Sequence, residues 1–355
     1  MPSTTHSHLW PGVPFALGSA ILFGASTPLS KYLLGSIDPW TLAGILYLGA
    51  GIGLFTVRWV RNLLGIGTAE ASLSRADYPR LAAVVVIGGM IGPLLLMFGL
   101  SRTTAGQGAL LLNLEGLATM GIAWLVFREN VDWRLLIGAF AIISGAAVLA
   151  WNGPETSFDI GGLLIAAACL AWGIDNNLTR KLSSGDPVQI AMIKGLFAGG
   201  TNLTLAFSLG ATVPSAGLFA AGGAVGFFGI GVSLVMFMLG LRHLGTARTG
   251  AYFSLAPFIG AHLAILLLQE PVTAQLVIAG ALMAIGLALH LAERHEHEHL
   301  HEEFEHDHLH EHDEHHAHGH DEGEVTEPHS HRHLHRPIRH KHPHYPDLHH
   351  RHGHG

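Results

Sequence analysis

Long apolar runs, each about the length of a bilayer crossing, alternate with short polar breaks through the first 292 residues, and then the pattern stops. A hydrocarbon core of about 30 Å takes roughly 20 apolar residues of helix. Ten such runs occur, at 13–34, 40–60, 81–100, 106–127 and 133–151, then at 161–182, 188–209, 218–240, 247–268 and 274–292. The pattern predicts an all-α integral membrane protein of ten transmembrane helices. The first run has no Lys or Arg before it and many more apolar runs after it, so it reads as a retained span, not a cleaved leader.

With the N-terminus inside, Arg58, Arg61, Arg75, Arg80, Arg128, Arg134, Arg180, Lys181, Arg242 and Arg248 fall on cytoplasmic ends and loops. Only Lys31 and Arg102 fall outside. This positive-inside bias places both termini in the cytoplasm and the chain in a bacterial inner membrane as a multi-pass protein.

The two halves repeat. Phe23-Gly24 through Leu29 and Lys31 returns as Trp172-Gly173 through Leu178 and Arg180, each followed by Asp-Pro, at Asp38-Pro39 and Asp186-Pro187. Further along, Phe127-Arg128-Glu129 with Gly145 matches Leu268-Gln269-Glu270 with Gly286 at the same Glu-to-Gly interval. Five spans per copy is an odd number, so the second copy enters from the opposite side and the five-helix repeats are inverted, with substrate expected near the midplane between them. The expected organisation is a short cytoplasmic N-terminus over 1–12, repeats over 13–151 and 160–292, and a tail over 293–355.

On Glu129 and Glu270 at the fourth-to-fifth and ninth-to-tenth helix junctions, and on the Gly-rich fifth and tenth helices behind them, the chain over 13–292 resembles the drug/metabolite transporter superfamily with two EamA repeats. The resemblance implies a ten-helix exporter of small solutes. It fixes architecture better than substrate.

Composition agrees: 49% of residues are apolar and 13% charged, about half the roughly 25% usual for soluble domains. The single cysteine, Cys169, lies in an apolar run as a small packing residue and excludes an internal disulfide. Glycines at small-xxx-small spacing, Gly195 with Gly199 and Gly222 with Gly226, predict close helix crossings. Pro28, Pro93 and Pro257 lie within spans and free carbonyls that must face protein or a wet cavity.

Polar groups inside the spans are the candidate pathway. Glu115 falls mid-span, where an unpaired carboxylate costs at least ~3 kcal/mol, so it must face the bundle interior and pair or protonate. At 100° per residue, Gln107, Gly108, Glu115 and Thr119 share one stripe of a continuous helix. Asp175 and Lys194 lie on consecutive antiparallel helices, about 10 Å deep, at matching heights for an ion pair. Asn176 and Asn177 extend that patch, and their repeat equivalents Ser26, Thr27 and Pro28 predict a symmetric second one. His262 is a candidate proton carrier or metal ligand. Glu129 and Glu270, at helix ends, are expected to be structural.

From His290 onward the chain holds 24 of its 28 histidines, interleaved first with Glu and Asp and then with Arg, Lys and Pro. Such a segment buries no core and is expected to be disordered. His295, His297, His299, His301, His306, His308, His310 and His312 are the expected metal ligands, for Ni, Co, Zn or Cu. Two matches to the zinc-protease pattern, beginning at His295 and His297, arise from composition, and no nucleophile elbow, phosphate loop or dinucleotide fingerprint occurs, so no enzyme is expected. No cofactor is required. The expected partners are the bilayer, a metal ion or small-molecule substrate and a second copy of the chain as a homodimer, with no nucleic acid.

Together these readings favour efflux of a divalent transition metal, nickel or cobalt first, by proton antiport. The architecture and tail resemble the His-tailed nickel-resistance branch of the superfamily. Moving two charges out against 100 mV costs about 4.6 kcal/mol and demands coupling. The alternatives are export of an amino acid or other small metabolite with a metal-binding tail, and a metal-sensing or storage protein without transport.

Overall fold

The computed structural model describes residues 12–65, 75–127, 133–151, 159–179, 182 and 186–291, with four tail stretches at 296–300, 304–310, 329–335 and 339–343. Among them ten helices are long and apolar enough to span a membrane: α1 Gly12–Leu33, α2 Pro39–Leu63, α3 Tyr78–Leu100, α4 Ala105–Val126, α5 Trp133–Ala150, α6 Ile160–Thr179, α7 Pro187–Ser208, α8 Ala216–Gly240, α9 Arg248–Leu268 and α10 Ala274–Leu291. The protein is all-α and multi-pass, built as two inverted five-helix repeats.

The repeated Asp-Pro pairs are helix starts. Asp38 accepts a hydrogen bond from Thr41 N at 2.9 Å to cap α2, and Asp186 accepts from Val188 N at 2.9 Å to cap α7. In both, proline takes the first helical position, where no N–H is needed. Asp186 also pairs with Arg58 of α2, tying the two repeats together.

The irregularities repeat as well. α3 contains a π-helical turn at Val85–Ile91, and α8 contains one at Phe227–Val232. α4 is broken at Leu112 and Asn113 between Ala105–Leu111 and Leu114–Phe127, and α9 is broken at Ser254 and Leu255 before Ala256–Leu268. The break in α4 corrects the expected continuous stripe: Gln107 lies in the segment before the break, Glu115 and Thr119 in the one after it. Asn113 Nδ2 donates to Leu110 O at 2.8 Å, a local bond that competes with helix continuation. Between α8 and α9 the backbone stays helical over Ser233–Phe253, yet the chain doubles back there, since a Cβ at Gly240 would lie 3.0 Å from Thr249 Cγ2.

Equivalent helices pack on each other across the pseudo-twofold. α2 crosses α7, α5 crosses α10, and the packing of α1 on α8 and α9 mirrors that of α6 on α3 and α4. Glycines set the distances. Gly145 packs on Ala279 O, and Gly286 packs on Gly138 O. The repeated glycines of the sequence motif, Gly24 and Gly173, let α1 approach Ala256 of α9 and α6 approach Ala118 and Thr119 of α4. In lipid no hydrophobic force draws helices together, so such contacts rest on close van der Waals fit. The outer faces carry large exposed apolar side chains such as Phe140, Leu125 and Phe197, as a lipid-facing surface requires.

Gly195→Val is expected to abolish folded protein in the membrane. A Cβ there would lie 2.5 Å from the Gly51 backbone nitrogen, which cannot move without parting α2 from α7, whereas Gly200 has nothing within 4 Å. Size-exclusion chromatography of solubilised membranes checks this: Gly200→Val should elute at the parent's level while the Gly195→Val peak disappears.

In the tail, Glu296–Leu300 (β1) pairs antiparallel with Arg339–Pro343 (β4), and Phe304–His310 (β2) pairs with His329–His335 (β3). Two-stranded ribbons are marginal in water by themselves. They do not make the tail a folded domain.

Candidate functional site

The site grows from the π-turn of α3. Pro93 has no N–H to give to the preceding turn, and the widened turn leaves the Gly88 carbonyl free. Two side chains from other helices take it: Tyr47 of α2 donates through its hydroxyl at 3.0 Å and Trp172 of α6 through Nε1 at 2.9 Å. Gly88 has no side chain because Asp175 fills the space, and a Cβ there would overlap the carboxylate carbon.

Asp175 is buried and bonds Lys194 of α7, whose side chain is 12% exposed. Thr179 Oγ1 lies 3.4 Å from the other carboxylate oxygen. A buried charge must be paired or neutralised, and this pair does both partners that service. Lys194 also borders a recess of about 30 Å³, room for about one water, shared with Tyr47, Ala191 and Ile230.

The second part is joined to it through Asn176, the residue after Asp175. Glu115 lies in the first turn of the inner segment of α4, where the helix dipole favours negative charge. Its Oε1 accepts from Asn176 Nδ2 at 2.9 Å, and the same amide reaches Thr119 Oγ1 at 3.2 Å. Asn177 Nδ2 donates to Thr119 O at 3.1 Å and to Gly173 O at 2.8 Å, fastening α6 to α4. Glu115 is half-buried and Asn176 exposed, so this carboxylate, unlike Asp175, remains reachable and has no cationic partner among the described residues.

The structure therefore brings together Glu115, Thr119, Asn176, Asn177, Asp175 and Lys194. It separates Gln107, which sits at the start of α4 and accepts from Thr103 Oγ1 at 2.9 Å, and His262, which is exposed on α9 and makes none of the bonds that hold the cluster. Sequence reasoning missed Tyr47, Gly88 and Trp172. The in-span Pro93 was their signal, since a proline in a membrane helix announces a carbonyl in need of donors.

The symmetric second patch is corrected. The π-turn of α8 receives Ser26 of α1 as that of α3 receives Asp175, for a Cβ at Gly229 would lie 2.6 Å from Ser26 Cβ. Ser26, however, donates to Phe23 O of its own helix at 2.6 Å, and Thr27 is buried. The geometry is twofold and the charge is one-sided.

Glu270 proves to be a cap. Its carboxylate accepts from Ala105 N at 2.6 Å and Gly106 N at 2.8 Å, closing the start of α4. Gln269 before it adopts φ 54°, a left-handed turn that ends α9 and aims the glutamate. Nearby, Lys31 Nζ donates to Leu100 O at 2.7 Å and caps the end of α3. Glu270→Ala is expected to cost about 1 kcal/mol, the usual worth of an N-cap, and to lower the midpoint of thermal inactivation without removing transport. Glu129 lies outside the described residues.

Among the described residues no group of three or more His, Cys, Asp or Glu is placed to hold a metal ion. Of the tail histidines expected as ligands, His297 and His299 lie on β1 and His306, His308 and His310 on β2, while His295, His301 and His312 lie outside the described residues.

Two inverted bundles, broken helices at matching heights and one-sided intramembrane charge between them define a membrane transporter. Residues 10–151 and 159–292 each match the EamA-like transporter family, and the chain belongs to it. An uncharacterized transporter of Methanothermobacter thermautotrophicus is 32% identical over 79% of this chain and 85% of its own length. The uncharacterized transporter YyaM of Bacillus subtilis is 24% identical over 76% of this chain and 92% of its own. A probable terminal-alkyne amino-acid exporter of Streptantibioticus cattleyicolor is 26% identical over 38% of this chain and 46% of its own. A solved crystal structure superposes with a TM-score of 0.60 at 17% identity, covering 79% of this chain and 95% of that one, a likeness of fold alone.

Proposed function

We propose that this transporter exports a small amine-bearing solute across a bacterial inner membrane in exchange for protons, with both termini in the cytoplasm and Glu115 as the group that binds proton and solute in turn. One observation carries the reading: Glu115 is a reachable carboxylate in mid-span without a cationic partner among the described residues, held by Asn176 beside Thr119. Its charge must be neutralised for the protein to change conformation in lipid, and a proton or an ammonium group does so equally. A carboxylate flanked by an amide and a hydroxyl suits the polar end of an amino acid. The probable terminal-alkyne amino-acid exporter of S. cattleyicolor, similar over 38% of this chain, gives that cargo class a precedent among its relatives.

A divalent transition metal is the second reading, favoured by the 24 histidines from His290 onward, with the tail collecting ions and the body passing them outward. Such an ion takes four or more nitrogen, sulfur or oxygen donors. The described part of the body offers one mid-span carboxylate without an ion-pair partner, Glu115, so the body favours the organic cargo and the tail alone favours the metal.

The deciding experiment expresses the full chain and a chain ending at Ala292 in sensitive bacteria, at matched membrane abundance. It follows retained nickel, cobalt and zinc, and release of preloaded labelled amino acids. Amino-acid release by both forms supports the first reading. Lower retained metal in both, with no amino-acid release, replaces it with the second.

A further inference from the structure

We infer that Phe23, Phe237 and Phe253 form an apolar cradle for the carbon body of the exported amine, so that the transporter selects amines with a large apolar body over small or polar ones. This rests on the reading of the cargo as an amine bound at Glu115, and adds the part of the cargo that Glu115 does not hold.

The three rings come from α1, α8 and α9 and meet one another. Between ring centroids, Phe253 lies 5.3 Å from Phe23 and 4.8 Å from Phe237. All three are half-buried, and what remains exposed is turned away from lipid. Phe23 stands two residues, about 200°, round α1 from Ile21, which is 51% exposed on the outer face. Phe237 is one turn on from Ser233, which is buried and exchanges hydrogen bonds with Ser19 of α1 at 2.8 and 3.0 Å. Phe253 is one turn on from Thr249, which is buried beside Gly240.

The other repeat holds the same three positions shut. Trp172 answers to Phe23 in the repeated Trp-Gly and Phe-Gly pairs, and Leu96 to Phe237 at the same interval from the π-turn glycines Gly88 and Gly229. Leu111 answers to Phe253 as the last residue before the helix break. Trp172, Leu96 and Leu111 are all buried in the main apolar core. The difference follows from which end of the bundle is closed. The outer segment of α4, Ala105–Leu111, packs on α9 and α1, and Glu270 and Lys31 cap backbone groups at that end. Among the described residues the inner segment, Leu114–Phe127, packs on α6 and α5 rather than on α8 or α9. The wall of α1, α8 and α9 is therefore parted from the wall of α4 and α6 at the inner end.

Glu115 follows the break in α4 and Phe253 precedes the break in α9. The two helices run in opposite directions, so both residues lie on the inner side of their breaks. The carboxylate on one wall and the rings on the other thus border the same level of the opening. That division suits an amphipathic amine: a few polar groups fix the head and apolar surface takes the rest. Phenylalanine offers no hydrogen bond, so a polar body placed there would give up its water without replacement. A body too small to reach the rings forgoes the burial altogether.

The test measures counterflow of labelled leucine, serine and glycine in liposomes holding the purified full chain. The parent should favour leucine over both by about 10-fold or more in kcat/KM, the discrimination that a few methylenes in an apolar pocket provide. Phe253→Ala should raise the KM for leucine about 10-fold with little change in kcat, and leave glycine as it was, because only binding of the body is lost. Phe23→Ala and Phe237→Ala should act in the same direction. The leucine-to-glycine ratio is taken on one preparation and does not depend on abundance. If Phe253→Ala yields no folded protein, Phe253→Leu, which keeps an apolar contact in place, is read by the same ratio, which should fall. Equal kcat/KM for all three amino acids in the parent, or equal losses for leucine and glycine in the ring variants, overturns the cradle and leaves the reading of Glu115 standing. Counterflow of none of the three overturns both.

Discussion

Glu115→Gln, present in the membrane at the parent's level, is expected to lower net export about 100-fold or more, the size of effect that follows loss of a group that carries the proton. The substitution is chosen to leave the fold alone. Glutamine keeps an oxygen where Asn176 Nδ2 now donates at 2.9 Å, and the bond from Thr119 Oγ1 to the Glu115 backbone carbonyl is unaffected. It removes a charge that costs at least ~3 kcal/mol to hold in mid-span, so abundance should not fall. What is lost is the ability to exchange a proton for the solute. Two further readouts separate coupling from packing. Export by the parent should rise with the inward proton gradient, and whatever activity Glu115→Gln retains should ignore it. Glu115→Asp keeps the charge on a shorter arm and should recover part of both. Parent-level, gradient-dependent export from the Gln variant would remove Glu115 from the mechanism.

Architecture was legible in the sequence because membrane spans announce themselves by length and hydropathy, and because Asp38-Pro39, Asp186-Pro187 and the Phe23-Gly24 and Trp172-Gly173 pairs are local features that recur. Each has a local physical cause: aspartates cap helices, and the glycines sit where two backbones nearly touch. The Asp175–Lys194 pair with Asn176 beside it, and Glu115 as a group that must face the bundle interior, were legible for a related reason, since charge in hydrocarbon must find a partner and few partners exist. That Asn176 would join Glu115 to the pair was not. The break of α4 at Asn113 was not legible. It depends on one side-chain bond to Leu110 O overriding an apolar run that reads as continuous helix. Nor was the one-sidedness of the charge. Ser26 and Asp175 occupy equivalent places against Gly229 and Gly88, but whether a serine faces a cavity or bonds its own helix is decided by rotamer, which spacing does not encode. The role of Glu270 was read from its place at a helix end, while its target, the first N–H groups of α4, required the tertiary structure.

Asp175→Asn is expected to cost about 3–5 kcal/mol and to deplete the transporter from the membrane, because it strands the Lys194 ammonium beside a neutral amide with only 12% of its side chain exposed. Lys194→Met should do comparable damage by leaving the Asp175 carboxylate buried and uncompensated against Gly88. The double variant removes both charges, and its abundance should return to near the parent's, since replacing a buried pair as a unit is often neutral. Transport by that double variant decides what the pair is for. Asp175 on α6 and Lys194 on α7 belong to the same repeat, so rocking of one repeat against the other carries the pair along intact. A pair that is not broken in the cycle has no gating to do, and the double variant should export at more than about half the parent's rate once abundance is matched. Retained export alongside the failure of each single variant assigns the pair to holding α6 against α7, so that Asn176 keeps its place over Glu115. An abundant but inert double variant would instead make the ion pair part of the transport cycle, and the exchange at Glu115 would then need Lys194 as its second charge.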